Sequence, residues 1–254
     1  MSRWKLTIEY DGKGFCGWQK QDNVVSVQQV LEEAIEKLSG EVVTLHTAGR
    51  TDSGVHARAQ VAHFDLNKMT DARAVRDALN FYARPHKVVV LDAEEVGEDF
   101  HARFKAIRRS YRYRIINRRP PLSIDADYAW HISRELDIEA MQRAADLLIG
   151  KHDFSTFRAQ NCQSKSPVRN LDRLEVSRQG EEVFIYAEAR SFLYHQVRNM
   201  TGTLSLVGTG RWSVADFKSA FEACDRGKGG PTAPPQGLYF WGVSYPQDVG
   251  NSPL

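Results

Sequence analysis

The sequence has few cysteines and no long apolar run. Its three cysteines, Cys16, Cys162 and Cys224, are far apart and form no C-x-x-C pair, which argues against a disulfide framework and a zinc ribbon. No apolar run reaches the roughly 18 residues of a membrane span, and no signal-peptide pattern precedes the first strand-like segment. We therefore expect a soluble cytoplasmic protein with reduced thiols and no membrane partner.

The sequence also lacks the usual nucleotide and metal motifs. Neither G-x-x-x-x-G-K-[ST] nor G-x-G-x-x-G occurs in its two long loops, 157–170 and 226–237. The histidines form no H-x-x-x-H pair, and no cysteine pair accompanies them. We expect no metal site, no nucleotide cofactor and no other cofactor.

The chain has almost no excess charge, +2 over 254 residues, but its charges are unevenly placed. Eight of the seventeen residues in 103–119 are Lys or Arg and none is acidic, whereas five of the eight in 92–99 are acidic. Arginines interleaved with tyrosines are typical of RNA-binding surfaces, where cations contact phosphates and rings stack on unpaired bases. The alternative is that some of these arginines balance the acidic segment.

Hydrophobic periodicity predicts the element order β-α-β-β-α-β, which then recurs in the second half of the chain. Residues 4–10 alternate apolar and polar as in a half-buried strand, and the next helix has a capping box of Ser26 and Gln29 and ends at Gly40. The other predicted elements are strands 42–48, 60–66, 87–91, 108–116, 172–178, 183–190 and 238–245, and helices 71–82, 138–149, 193–207 and 214–224.

Two such units imply an α+β fold of two consecutive ferredoxin-like halves, 1–105 and 106–254. Their strands would form an extended, mostly antiparallel sheet with helices packed on it and a central cleft, the expected place for a functional site. The alternative is one mixed α+β domain without duplication, since the matching element order has no residue-level repeat behind it.

The segment 48–57, AGRTDSGVHA, joins two predicted strands. One carboxylate, Asp52, is flanked there by Arg50, His56 and two glycines. Glycines permit unusual backbone angles, and loops held by a scaffold often present catalytic side chains. An ordinary turn containing Asp and Gly is the alternative.

This segment resembles the central signature of the TruA family of tRNA pseudouridine synthases, G-R-T-D-x-G-V-H-A, throughout 49–57. The resemblance extends over nearly the whole chain, although NFYARP at 80–85 departs from the family's usual N-x-x-L-P. The other matching segments are YDG at 10–12, Phe15, GWQ at 17–19, DFHARF at 99–104, YRY at 111–113, Phe154, FR at 157–158, His195, VRN at 197–199 and GLY at 237–239.

The resemblance implies three catalytic residues. Asp52 attacks the target nucleoside, the uracil is released and rotates, and it is rejoined through C5 in place of N1. Tyr111 stacks on the flipped base near the C5 proton, and Arg198 pairs with the carboxylate. From the residues alone, Tyr111 shares a strand face with Tyr113 and Ile115, as in core packing, and Arg198 fits a solvated helix surface or a polar stripe that lines a site.

The resemblance also implies an isomerase that acts on the tRNA anticodon stem-loop, forms a homodimer and needs no cofactor. The alternative is a non-catalytic RNA-binding protein of the same fold, whereas a glycosidase would need a second carboxylate beside Asp52. The predicted RNA-binding residues are Arg50, His56, Arg109, Arg112, Arg114 and Arg158.

Overall fold

The computed structural model describes residues 1–246 as two compact units of mixed helix and strand. Within the described residues, the first unit is Met1–Arg109 with 239–246, and the second is Ser110–Leu238. The strands are β1 (Ser2–Tyr10), β2 (His46–Thr47), β3 (His56–Leu66), β4 (Val88–Val96), β5 (Arg108–Asn117), β6 (Trp130–Ile132), β7 (Gly150–Asp153), β8 (Val168–Gln179), β9 (Glu182–Ala189) and β10 (Leu238–Ser244). The helices are α1 (Val27–Ser39), α2 (Ala72–Tyr82), α3 (Ile138–Asp146), α4 (Gln196–Gly208) and α5 (Val214–Glu222).

The strand pairings are mostly antiparallel, which confirms the predicted α+β class. In the first unit the strand order is β4-β1-β3-β10, with β2 on β3, and in the second it is β5-β9-β8-β7, with β6 on β5. The antiparallel pairs are β1–β3, β1–β4, β2–β3, β7–β8 and β8–β9. The parallel pairs are β10–β3 and β5–β6.

The core of the first unit follows from the alternation in β1. Trp4, Leu6 and Ile8 are almost fully buried on one face of the sheet. Helix α1 buries Leu31 and Ile35, because apolar residues at helical spacing form one stripe along a helix. The helix begins at the predicted cap, where the Gln29 N–H donates to Ser26 Oγ at 3.2 Å, and it ends at Gly40, whose φ is 77°. The Gln29 amide, however, donates to Glu33 at 2.9 Å.

Three predicted elements of the first unit are wrong in extent. Strand β3 begins at His56 rather than at 60. The strand predicted at 42–48 is only the two-residue β2, because the Leu45 N–H donates to Glu32 Oε1 at 3.0 Å instead of to a neighbouring strand. Strand β4 is longer than predicted and includes part of the acidic segment. Its outer edge is covered at Val90, whose N–H and carbonyl bond with the Asn80 side chain at 2.8 and 2.9 Å.

The last strand, β10, joins the first unit. Tyr239 and Phe240 pair in parallel with His56 and Ala57 at the start of β3. Chain order predicts this strand in the second half, because it comes last of the predicted strands. Within this strand Phe240 is fully buried.

In the second unit α3, α4 and α5 pack against each other, and α3 also packs against β8. Met141 in α3, Leu204 in α4 and Phe217 in α5 are fully buried, and a cluster of phenylalanine rings lies beside them. The cluster is formed by Phe154, Phe157, Phe217 and Phe221, with ring centroids 5.7–6.4 Å apart.

The second unit also contains strands and helix ends that the sequence pattern misses. Strands β6 and β7 have three and four residues, too few for a recognisable alternation. Helix α3 ends at Asp146 rather than 149. Helix α4 begins at Gln196 rather than 193, because His195 before it adopts a left-handed φ of 60°. Among the helices of residues 1–246, none has both the length and the apolar character of a membrane span.

Candidate active site

Asp52 lies in a loop, 48–55, that connects β2 to β3 in the first unit. The carboxylate side chain is half-buried, whereas the preceding Thr51 is buried. A turn follows at once, since the Val55 N–H donates to the Asp52 carbonyl at 3.1 Å. Gly54 within this turn has a φ of 76°, which L-residues with a Cβ rarely adopt. The loop therefore turns sharply just after the carboxylate.

Two glycines in the segment 11–18 let that segment pack directly on the loop backbone. A Cβ on Gly12 would lie 2.2 Å from the Val55 carbonyl oxygen, and one on Gly17 would lie 2.6 Å from the Thr51 carbonyl oxygen. The Trp18 N–H then donates to that same Thr51 carbonyl at 3.1 Å. The backbone on both sides of Asp52 is thus held by a neighbouring stretch of chain.

Buried side chains hold the loop from the sheet. The Tyr10 hydroxyl lies 2.7 Å from Thr51 Oγ1, and the Gln60 amide donates to the Gly49 carbonyl at 2.7 Å. Burial raises the pKa of Tyr10 to about 12, against the smaller effect of hydrogen bonds with Thr51 and Gln60. The Tyr10 hydroxyl is therefore neutral across the physiological pH range and acts as a hydrogen-bonding group.

Arg109 also supports the loop. Its Nε and Nη2 atoms donate to the Ala48 carbonyl at 3.0 and 2.8 Å, and Nη2 also donates to the Arg103 carbonyl at 2.7 Å. The residue is only 8% exposed. The guanidinium thus ties the start of the loop to the segment around Arg103.

His56 is buried at the end of the loop. Its ring stacks on Tyr239 with centroids 4.8 Å apart and an interplanar angle of 23°. Its Nδ1 lies 3.0 Å from the Gly12 nitrogen and 3.2 Å from Asp11 Oδ1. A single ring nitrogen accepts from the N–H when it is unprotonated or donates to the carboxylate when it is protonated. In either state the imidazole links the loop to the segment that packs on it.

The two tyrosines of the YRY motif have different surroundings in the second unit. Tyr113 is fully buried, its hydroxyl donates to the Pro234 carbonyl at 2.7 Å, and burial raises its pKa far above the usual range. Tyr111 is half-buried, and its ring meets Phe192 edge-on at 5.1 Å. Tyr113 is therefore a core residue, whereas part of the Tyr111 side chain is exposed to solvent.

Arg198 is fixed by the loop 226–237. Its Nε donates to the Ala233 carbonyl at 2.8 Å, and the Ala233 N–H donates back to the Arg198 carbonyl at 3.1 Å. The neighbouring Asn199 is buried and bonds with Thr232 and with the Phe157 carbonyl at 2.6 and 2.9 Å. The Arg198 and Asn199 side chains of α4 thus face this loop, and the Arg198 side chain and the loop backbone orient each other.

The other predicted RNA-binding arginines lie in different environments. Arg50 is exposed beside Asp52. Arg112 lies over the Phe184 ring at 5.0 Å. Arg114 forms ion pairs with Asp125 at 2.7 Å and with Glu182. The Arg158 Nη2 donates to the Cys162 and Ser164 carbonyls at 3.1 and 2.6 Å.

The predicted site residues thus fall into two groups. Asp52, Arg50, His56 and Arg109 come together around the loop of the first unit, and the other five lie in the second. Sequence reasoning did not predict a role for Gln60, although a polar residue at an inward position of a strand is a usable signal. Within residues 1–246, no group of three or more His, Cys, Asp and Glu side chains is arranged to hold a metal ion.

Comparison with known proteins adds the following matches. A family model described as tRNA pseudouridine synthase matches residues 6–105 and 144–246. A tRNA pseudouridine synthase A from Paramagnetospirillum magneticum is 58% identical over 252 residues, which cover 99% of this chain and 98% of that protein. A protein of the same name from Rhodospirillum rubrum is 55% identical over 249 residues, covering 98% and 90%. A chain of a solved Cbf5-Nop10-Gar1 complex aligns with 80% of this chain and 54% of its own length at a TM-score of 0.34 and 11% identity, too low to establish a shared fold.

Proposed function

The chain belongs to the tRNA pseudouridine synthase family, and we propose that Asp52 is the carboxylate with which it isomerises uridine in tRNA to pseudouridine. The observation that carries this assignment is the loop itself. It presents one half-buried carboxylate on a backbone held on both sides by Gly12, Gly17 and Trp18. Such a fixed position is what a nucleophile needs in order to reach one atom of a bound base or sugar.

The reaction needs a nucleophile and a proton acceptor but no oxidant or reductant. The bond between C1′ and N1 breaks, a bond between C1′ and C5 forms, C5 loses its proton and N1 gains one. An ordinary aspartate, with a pKa of about 3.9, is ionised at neutral pH and can form and release a bond to carbon. Asp52 therefore supplies the covalent step with its own carboxylate.

Tyr111 and Arg198 complete the proposed site. The exposed part of Tyr111 would stack on the flipped base, with its hydroxyl near the C5 proton. Arg198 would keep the Asp52 carboxylate ionised and oriented. Support comes from the family motifs at both positions and from the Ala233 carbonyl, which holds the Arg198 Nε at 2.8 Å.

The proposed substrate is the anticodon stem-loop of tRNA. Exposed Arg50 is the most direct candidate for phosphate contact at the site, and Arg112 and Arg158 are half-buried candidates. Three of the predicted RNA-binding residues also make extensive contacts within the protein: His56, Arg109 and Arg114. RNA contact stays a prediction for them, and each would in addition position its neighbours.

We further propose two ferredoxin-like halves with a central cleft, a homodimer and a cytoplasmic location. The first unit supports the first of these, because its elements β1, α1, β2, β3, α2 and β4 follow the order β-α-β-β-α-β. The second unit has the added strands β6 and β7 and the added helix α5, so its likeness to such a half is partial.

The test is the Asp52→Asn variant assayed with unmodified tRNA that carries tritium at uridine C5. The wild-type protein should release tritium without any added cofactor. The variant should release none, because the amide keeps the shape but lacks a nucleophilic anion, and it should still bind tRNA.

Asp22→Asn is the matched control, since it neutralises an exposed carboxylate on the chain segment before α1. It should keep wild-type turnover. Tritium release by Asp52→Asn at the wild-type rate would remove Asp52 from the chemistry, and no release by the wild-type protein from any tRNA would contradict the proposed activity.

A further inference from the structure

An exposed aromatic ring lies in the first unit, outside the predicted site, with a guanidinium over it and further cations in the same chain segment. Phe104 is 71% exposed. The Arg103 guanidinium lies over its ring at 5.7 Å, and Arg103, Lys105 and Arg108 are themselves exposed. Lys105 pairs with Asp99 at 3.0 Å. A single exposed apolar side chain is common on protein surfaces, so exposure alone does not mark a binding site, and the cation over the ring and the packing beneath it carry the inference.

The Phe104 ring is held in position by packing on histidine rings. His101 lies under it with centroids 4.3 Å apart, and His63 lies against His101 at 4.6 Å. The His101 Nδ1 also accepts from the Arg103 and Phe104 N–H groups at 3.2 and 3.4 Å. Burial lowers the pKa of His101, so a neutral imidazole backs the phenyl ring at neutral pH. Phe104 is therefore a preformed platform rather than a loose side chain.

The platform is joined to the loop that carries Asp52. Arg109 donates to the carbonyls of Arg103 and Ala48, so these two carbonyls share one guanidinium. The His46 ring, at the start of the chain leading into that loop, lies 5.6 Å from His101. The exposed ring thus lies on the side of the loop from which β2 enters.

From this placement we propose that Phe104 stacks on an unpaired base of the bound tRNA, beside the base that reacts, while Arg103 contacts the adjoining phosphate. A ring covered by a protein partner is expected among apolar neighbours, whereas here the exposed neighbours are mainly cations. Aromatic rings flanked by cations are the usual surface for single-stranded RNA. The inference rests on the proposed function, because it names a further contact with the same substrate.

Phe104→Ala should weaken binding of an unmodified tRNA transcript about five- to a hundredfold, the usual loss for one stacked base. The slope of binding against salt should stay unchanged, because the ring carries no charge. Arg103→Gln should instead lower the salt slope by about one. An anticodon stem-loop RNA with 2-aminopurine at successive loop positions should show, at one of them, fluorescence quenching with wild type and not with Phe104→Ala.

Two variants control for folding and for general loss of apolar surface. Phe104→Trp should retain wild-type affinity, since indole also stacks. Phe81→Ala removes a ring that is 63% exposed on α2, and it should bind tRNA as the wild type does. Equal losses in Phe81→Ala and Phe104→Ala would overturn the platform, and so would wild-type affinity in Phe104→Ala.

Sedimentation of the same variants separates a second explanation. An altered oligomeric state with unchanged tRNA affinity would overturn the proposal and assign the ring to a contact between copies of the chain. Tritium release by the wild type tests the proposed function on its own. If the wild type released no tritium but Phe104→Ala still bound tRNA more weakly than the wild type, the proposed function would be wrong and the platform would be supported.

Discussion

At the residue scale, the position of Asp52 depends on glycines that lie outside its own loop. Gly17 has a φ of 88°, and a Cβ there would meet the Thr51 carbonyl at 2.6 Å. Gly14, three residues earlier, has the same φ of 88° but nothing within 4 Å of a built Cβ. These two positions share one backbone conformation and differ in whether they touch the loop.

Gly17→Ala and Gly14→Ala should therefore separate backbone strain from loop displacement. Gly14→Ala should lose about 1–2 kcal/mol of unfolding free energy, because an L-residue is strained at this φ. Gly17→Ala should lose more, because its methyl group would also meet the Thr51 carbonyl oxygen at 2.6 Å. Only Gly17→Ala should also lower kcat, by about tenfold or more, because its methyl group pushes on the residue before Asp52. Urea unfolding and tritium-release kinetics measure the two effects, and an equal loss of kcat in both variants would contradict this account.

Sequence alone indicated the loop and its carboxylate but not how they are held. The signature at 49–57 and the YDG and GWQ segments could be recognised from residue types. That Gly12 and Gly17 lie against the loop carbonyls could not, because such contacts depend on how distant segments pack. The same holds for Arg109. Its place in a basic segment predicts RNA binding, whereas in the structure its guanidinium is buried and donates to the Ala48 carbonyl.

At the scale of elements, long periodic segments were predictable and short ones were not. Helix α1 and its cap follow from the spacing of apolar residues and from Ser26 and Gly40. Strands β2 and β6 have too few residues to show a period, and β10 pairs with a strand far away in the chain. Local pattern specifies the type of an element, whereas its partner is decided by tertiary packing.

Three histidines link β2, β3 and the segment after β4. His63 on β3 accepts a hydrogen bond from the Ala102 N–H at 3.2 Å and packs against His46 and His101. Burial, followed by the positive charge of these neighbours and of Arg3, lowers the pKa of His63 to about 4, while Asp65 acts in the opposite direction.

A lowered pKa makes the fold less stable in acid. The unfolded chain binds the proton with an ordinary histidine pKa near 6.5, so stability is full above that pH and falls as the pH drops towards about 4. The loss should reach about 2 kcal/mol near pH 5. His63→Asn, whose amide oxygen can accept from Ala102, should lose this part of the pH dependence.

Thermal unfolding at about pH 7.5 and about pH 5 measures the effect. The exposed His86→Asn is the control and should keep the wild-type difference between the two pH values. A His63→Asn variant with that same wild-type difference would show that another group is responsible.

At the scale of the whole molecule, the proposed chemistry requires residues from both units. Arg198→Met should lower kcat about a hundredfold or more, because the proposed site would lose its charged donor to the carboxylate, and should change tRNA affinity little. Arg211→Met removes an exposed charge just after the same helix and should leave kcat unchanged. Single-turnover kinetics and a binding titration would check this, and a loss of affinity without a loss of rate would reassign Arg198 to RNA binding.

The place of β10 has a consequence for biosynthesis. The loop-bearing unit is discontinuous in the chain, since β3 pairs with a strand that begins at Leu238, after the whole second unit. A ribosome makes the chain from the N-terminus and releases this strand after the second unit, so Tyr239 can stack on His56 only after the second unit has been synthesised. Nascent chains stalled before residue 238 thus carry the Asp52 loop without that support. We expect the enzyme to become active only after β10 has left the ribosome, which would keep chains that lack this strand from acting on the tRNAs that surround them.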